Sequence, residues 1–328
     1  MIWNSRDFCC NRADVGAGMI LRIGTRGSKL ALRQSEWVKE KIEAEHPDLR
    51  VELIRIKTTG DKILDSPLSL IGGKGLFVKE IEDALLTQRV DLAVHSMKDV
   101  PAELPDRLFL SAFPEREDPA DALISAAGQT LKQLPKGARI GTSSLRRGAQ
   151  LLHIRPDLRL VPLRGNVDTR LRKLESGDFH AIILATAGLR RLGLSGRITE
   201  TISFDEVLPA VGQGALGLEV RRDDEQTVNL LAFLDHEPTK IAVSAERAFL
   251  KELEGGCQVP IAGLARLDGT RLHFEGMVAA LDGTRLFKEA TIGTRDQAQE
   301  IGIASARKLL ASGADKVLEK VYGMTNDE

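Results

Sequence analysis

The sequence predicts an α/β protein: two α/β domains followed by a small α+β C-terminal domain. Three observations carry that expectation. Short apolar runs alternate with amphipathic helical stretches from Ile20 onward, and a polar, proline-bounded stretch, Phe113–Pro119, interrupts them as a crossover between two α/β units. After Thr239 the rhythm changes to a helix and three alternating strands. At 328 residues the chain also exceeds what one hydrophobic core usually organises.

Ile20–Ile23 reads as the first strand and residues 28–45 as a helix stopped at His46-Pro47. Residues 50–57 alternate with period two and read as a second strand. Phe77, Ile81, Ala84 and Leu85 fall at i, i+4, i+7 and i+8, one face of a helix, and Asp91–His95 follows as a short buried strand. Beyond Pro119, strands are expected over 139–142, 158–163 and 181–185, with helices near 144–155 and 167–176. Strands separated by helices predict parallel sheets with helices on both faces. Near the C-terminus a helix over 240–253 precedes strands near 261–268, 271–279 and 285–292. Asp-Gly-Thr stands at both turns, which is a hairpin signal. Two more helical segments close the chain.

Charge and composition remove several function classes. A net charge of −1 and an aromatic content of 4% argue against nucleic acid and anionic membranes as partners. No apolar run is long enough to span a bilayer. Cys9, Cys10 and Cys257 make no disulfide framework, which fits a reducing compartment, and the cytoplasm is expected. Residues 1–18 lack the apolar run of a secretory signal, contain Asp7 and Asp14, and end just before Met19. They are expected to be a disordered extension or to come from an upstream start codon, the rival being a divergent targeting sequence.

The arginines carry the strongest chemical signal. Residues 139–172 hold Arg139, Arg146, Arg147, Arg155, Arg159, Arg164, Arg170 and Arg172, with only Asp157 and Asp168 as acids. Arg146 and Arg147 follow Gly-Thr-Ser-Ser at a strand-to-helix junction, where free N–H groups and the helix dipole favour an anion. Arg164 ends the next strand, and strand ends are where open α/β sheets bind ligands. Guanidinium groups fork onto carboxylates or phosphates, so the ligand is expected to carry several of them. Arg155, Arg159 and Arg172 read instead as ordinary surface pairs.

Thr25-Arg26-Gly27-Ser28 offers a second helix-start anion site, and Gly72–Phe77 a loop with one lysine, Lys74. That loop is not a Walker A motif, because Gly75 follows the lysine. His95, Lys98 and Asp99 share one short loop past a strand end. Such a Lys–Asp pair is usually worth little, but the sheet edge raises its functional interest. Gly212-Gln-Gly214-Ala-Leu-Gly217 matches a dinucleotide fingerprint by letter, yet a strand and not a helix follows it. No G-x-S-x-G elbow occurs. Cys257 lies in a glycine-flanked turn, Leu253 to Pro260. It reads as a small buried hydrophobe or as a thiol that tethers something covalently. A hydrolase nucleophile would want a histidine base and a metal site a second ligand, and neither is supplied.

The stretches TRGSKLAL (25–32), GGKGLF (72–77), HSMKDVP (95–101), GTSSLRR (141–147), LRGNVDTRL (163–171), LPAVGQGALGLE (208–219) and LEGGCQVP (253–260) resemble the porphobilinogen deaminase family. They occur in that family's order and cover the chain from Ile20 onward. The resemblance implies two periplasmic-binding-protein-like α/β domains, 19–114 with 215–235 and 115–214, and an α+β domain over 236–328. It also implies a dipyrromethane cofactor held by a thioether to Cys257. Four porphobilinogen molecules are then condensed head to tail with loss of ammonia, and hydrolysis releases hydroxymethylbilane. In that scheme Asp99 is the catalytic carboxylate, stabilising the azafulvene cation formed as ammonia leaves. Lys98, Ser144, Arg146, Arg147 and Arg170 hold the cofactor; Arg26, Ser28, Arg164, Arg191 and Gln213 hold substrate; Lys74 and Phe77 belong to an active-site loop. The family further implies a monomer whose partner is porphobilinogen, with no metal. The rival is a two-lobed binding protein for a polycarboxylate, without catalysis. A cysteine-dependent acyl-transfer enzyme fails for want of a histidine partner.

Overall fold

A computed structural model describes residues 20–62, 78–254 and 259–326. The first sheet is fed by β1 (Ile20–Thr25), α1 (Lys29–Glu45), β2 (Arg50–Arg55), α2 (Thr59–Lys62), α3 (Lys79–Leu86), β3 (Leu92–Ser96) and β4 (Leu108–Ala112). The second is fed by β5 (Asp121–Ser125), β6 (Arg139–Gly141), α4 (Leu145–Ile154), β7 (Arg159–Val161), α5 (Val167–Glu175), β8 (Ala181–Ala185), α6 (Thr186–Arg191) and β9 (Glu200–Thr201). The chain then returns to the first sheet as β10 (Leu216–Arg221) and continues into α7 (Glu225–Leu231).

Both sheets have five strands and one wiring. Their orders are β2-β1-β3-β10-β4 and β7-β6-β8-β5-β9. In each, the fourth place is taken by a strand that arrives from the other domain. That strand corrects the expectation of parallel sheets: β10 runs antiparallel to β3 and β4, and β5 antiparallel to β8 and β9. Residue periodicity fixes which faces of a strand are buried but says nothing about its direction. A strand entered from the hinge escapes the right-handed crossover that makes its neighbours parallel.

The two crossing segments pack against each other, which explains the glycine-rich stretch. Gly212 and Gly214 have φ of +71° and +87°, in the left-handed region. A Cβ on Gly212 would strike Met97, and one on Gly214 the Glu117 carbonyl. These glycines serve backbone approach between crossings and not a pyrophosphate.

The third unit consists of α8 (Glu237–Glu252), the antiparallel meander β11 (Ile261–Asp268), β12 (Arg271–Ala279) and β13 (Leu286–Thr294), and the helices α9 (Ala298–Leu309) and α10 (Asp315–Asn326). Its core closes around Phe249 of α8 and Phe274 of β12, whose rings lie 5.0 Å apart. The core of the first sheet joins Leu21, Ile23, Val38 and Ile42 to Leu218 of the returning strand. Carboxyl ends of β1, β3, β6, β7 and β8 lead directly into the segments that carry the arginines and the acidic loop.

Candidate active site

The second domain buries one carboxylate between two guanidinium groups. Asp121, the first residue of β5, is fully buried, and Arg146 and Arg147 at the start of α4 are each 5% exposed. Arg146 Nη1 donates to Asp121 Oδ2 and to the Leu208 carbonyl, both at 2.7 Å. Arg147 donates from Nε and Nη2 to Asp121 Oδ1 at 3.0 and 2.7 Å, and from Nη1 to the Ile183 carbonyl. Burial would push the Asp121 carboxyl up, but the two guanidinium charges hold it well below the usual carboxylate range. Ser144 caps the helix by accepting from Arg147 N.

Facing this clamp is the turn that follows β3. Met97–Asp99 forms a single 3₁₀ turn at the strand's carboxyl end and presents Lys98 and Asp99, both half-buried. Burial and the Arg147 charge push the Lys98 ammonium down to about 8, against the opposing pull of Asp99 and Asp121. Arg170 of α5 donates Nε to the Gly165 carbonyl at 2.7 Å, which aims the guanidinium back along the β7–α5 turn. Burial, Arg147 and Arg164 together lower it to about 10. Lys98, Asp99, Arg146, Arg147, Arg164 and Arg170 therefore share one electrostatic neighbourhood, although they come from two domains. Arg26, after β1, lines a small cavity together with Asp99. The domains touch nearby through Lys29 Nζ and Asp168 Oδ2, 2.5 Å apart.

Among the described residues cations exceed carboxylates in this cleft, and burial disfavours the charged forms of Lys98, Arg146 and Arg170. Such a field favours a ligand with several carboxylates, which would restore the charge that the protein withholds.

Other residues expected in the site lie at its edges. Ser28 caps α1 by accepting from Ala31 N at 3.2 Å. Arg191 donates to the Gly214 carbonyl at 2.7 Å, and burial lowers its pKa although Glu117 opposes this. Gln213 is only 1% exposed, and its Nε2 donates to Asp121 Oδ1 at 2.8 Å and to the Pro119 carbonyl. It thus sits behind the arginine clamp. Lys74, Phe77 and Cys257 lie outside the described residues, as do residues 1–18. Arg155 pairs with Asp157 and the Leu131 carbonyl, while Arg159 and Arg172 are exposed, the structural roles expected of them.

Sequence reasoning missed three elements of this architecture. Asp121 was visible only as an acid opening the apolar run Ala122-Leu-Ile124. Arg247 of α8 donates to the Pro101 and Ala102 carbonyls, both at 2.9 Å, and so ties the third domain to the loop beyond Asp99. Glu246, fully buried on the same helix, accepts from Arg116, Gly212 N and Ala265 N. It joins both crossing segments to β11. A charged pair inside an otherwise apolar helix face was the available signal.

Among the described residues no helix is long and apolar enough to cross a membrane, and no cluster of three or more His, Cys, Asp or Glu side chains is placed to hold a metal.

Two α/β domains that close a strongly basic cleft over one half-buried carboxylate define a protein that handles a polycarboxylate. The porphobilinogen deaminase, dipyromethane cofactor binding domain family model matches residues 21–229, and the porphobilinogen deaminase C-terminal domain model matches residues 240–311. The chain is 57% identical over 298 residues to the porphobilinogen deaminase of Syntrophotalea carbinolica, covering 91% of this chain and 95% of that one. Against that of Nitratidesulfovibrio vulgaris strain Miyazaki F it is 57% identical over 309 residues, 92% of this chain and 97% of the relative. The chain belongs to the porphobilinogen deaminase family. It condenses porphobilinogen stepwise on a dipyrromethane cofactor, with release of ammonia, to hydroxymethylbilane. This replaces the rival reading of a binding protein without chemistry. A dipyrromethane, with acetate and propionate arms, fits the residues present, because its carboxylates match the surplus of buried cations.

Proposed function

We propose that Asp99 is the catalytic carboxylate of this condensation and that Cys257 tethers the dipyrromethane. The observation that carries the first assignment is the isolation of Asp99 from other carboxylates among the described residues: it stands half-buried at a strand end, amid Lys98, Arg147 and Arg170, with Asp121 already neutralised by its own arginine pair. A lone carboxylate in such a field can stabilise a cation that forms when ammonia departs, and can hold pyrrole N–H groups. The bound dipyrromethane supplies the growing end onto which each pyrrole is added.

The chain's own residues bind and orient. Lys98, Arg146, Arg147 and Arg170, with the capped start of α4 at Ser144, hold cofactor carboxylates. Arg26, Ser28, Arg164 and Arg191 hold the arms of incoming substrate. Gln213 acts at one remove, by fixing Asp121. Lys74 and Phe77 belong to the active-site loop. For Cys257, support comes from its neighbours: Leu253 and Val259 are buried anchors on either side, and Glu254 adopts φ of +52°, so the chain turns sharply there. The protein is a cytoplasmic monomeric transferase in this reading, with porphobilinogen as its partner and no nucleic acid.

Asp99→Ala is expected to lower turnover by about a hundredfold or more, while Asp99→Glu keeps a measurable rate. Steady-state ammonia release reads both. Turnover by Asp99→Ala at the parental rate would remove the assignment.

A further inference from the structure

A second set of ionisable groups lies directly behind Asp99. His95, on β3, and Glu219, on β10, are 5% and 0% exposed, and Nε2 and Oε2 stand 2.8 Å apart. A hydrogen bond of this length needs a proton between the two atoms, whichever carries it. The other oxygen of Glu219, Oε1, is buried without a hydrogen-bond partner among the described residues. A buried carboxylate oxygen left in that condition is costly, so its persistence calls for a role. Glu82 of α3 adjoins the pair: burial and the Glu219 charge raise its carboxyl to about 7, with His95 opposing.

The pair also has a connection to the site. A cavity of about 30 Å³ is lined by Arg26, Gln34, His95, Ser96 and Asp99 on its polar side. That exceeds the roughly 10–15 Å³ that one water requires, and the lining offers it several polar partners. His95 and Asp99 therefore border the same water-sized space. The charged and titratable groups facing the pair are Glu82 from α3, Arg26 from the β1–α1 turn, Asp99 from the turn after β3, and Arg247 from α8, where Glu219 opposes the lowering of its pKa by burial.

We propose that the buried His95–Glu219 pair is the proton store of this site, connected to Asp99 through one water in the shared cavity. Each condensation forms one C–C bond and breaks one C–N bond and one C–H bond. The aminomethyl group enters as an ammonium and leaves as ammonia with the C–N electron pair. The proton released from carbon passes by Asp99 and the cavity water to the pair, which holds it in addition to the proton already shared between Nε2 and Oε2, and returns to the ammonia, which departs as ammonium. Charge and atoms balance with no further reactant. His95 is a positioning residue here, since it acts through Asp99. The proposal rests on Asp99 being the reaction's carboxylate.

The test uses His95→Gln and Glu219→Gln in the full chain. Both are expected to keep the covalent pyrrole mass, to lose about tenfold to a hundredfold in turnover with KM for porphobilinogen nearly unchanged, and to lose a limb of the pH–rate profile. Imidazole ¹⁵N NMR supplies a readout apart from activity. The resonance missing in His95→Gln should move in the parent when Glu219 becomes Gln. An equal loss at every pH, with an imidazole resonance indifferent to Glu219→Gln, would overturn the store and leave a structural strut. Should both variants misfold, Glu82→Gln must shift the same limb, and an unshifted limb overturns the proposal. Asp99→Ala run in parallel separates the two readings. Full turnover there defeats the underlying assignment; a dead Asp99→Ala beside an unaltered His95→Gln defeats only the store.

Discussion

The residues that organise the cleft are paired across long sequence distances. Asp121 meets Arg146 and Arg147 only after β5 and α4 have been placed side by side, which is why the arginines were legible in the sequence and their partner was not. Removing the carboxylate leaves two buried guanidinium groups without a counter-ion. Asp121→Ala is therefore expected to cost about 3–5 kcal/mol in chemical denaturation, where a loss below about 1 kcal/mol would contradict the clamp. The same carboxylate gives an acid limit. Its folded pKa is depressed, so its stabilisation is present above the unfolded value of about 4 and is lost as the pH falls below it. Lys98 has the opposite sign. Its pKa falls to about 8 in the fold, so its charged form is unfavourable below that pH, and stability rises as the pH climbs toward the ordinary lysine value. A carboxylate ligand restores the charge, so binding porphobilinogen above about pH 8 should take up a proton, measurable by calorimetry in buffers of differing ionisation enthalpy.

At the scale of elements, strongly patterned segments were read well and hinge-fed segments were not. Strands 181–185, 261–268 and 271–279 were expected at the bounds observed, because alternation or a continuous apolar run marks them. β4 and β5 escaped, being five residues each beside the crossing, and the antiparallel direction of β5 and β10 leaves no trace in periodicity. The element that joins these pieces is α8. Glu246 takes Arg116 in a two-point ion pair at 2.6 and 3.1 Å and caps the Gly212 and Ala265 amides. Glu246→Leu keeps volume but strands Arg116 and both amides. Thermal unfolding is expected to show a loss of about 3–5 kcal/mol, with the third domain melting ahead of the others. A single unshifted transition would deny α8 this role.

On the whole-molecule scale, a chain of net charge −1 concentrates positive charge in one cleft between two similarly wired sheets. The overall balance hides this, whereas the clustering of arginines over 139–172 disclosed it. Cleft charges partly open to solvent are screened by salt, so KM for porphobilinogen should rise with ionic strength while turnover changes less. A KM insensitive to salt would argue that shape and not charge selects the substrate. The account's central claim is that this cleft works on a pyrrole chain anchored at Cys257. Intact mass under denaturing conditions tests it most directly. The parent protein is expected to exceed its sequence mass by two pyrrole units, and Cys257→Ser to show the bare chain. An equal excess in both, or a parent that stays unmodified after incubation with porphobilinogen, would contradict the claim.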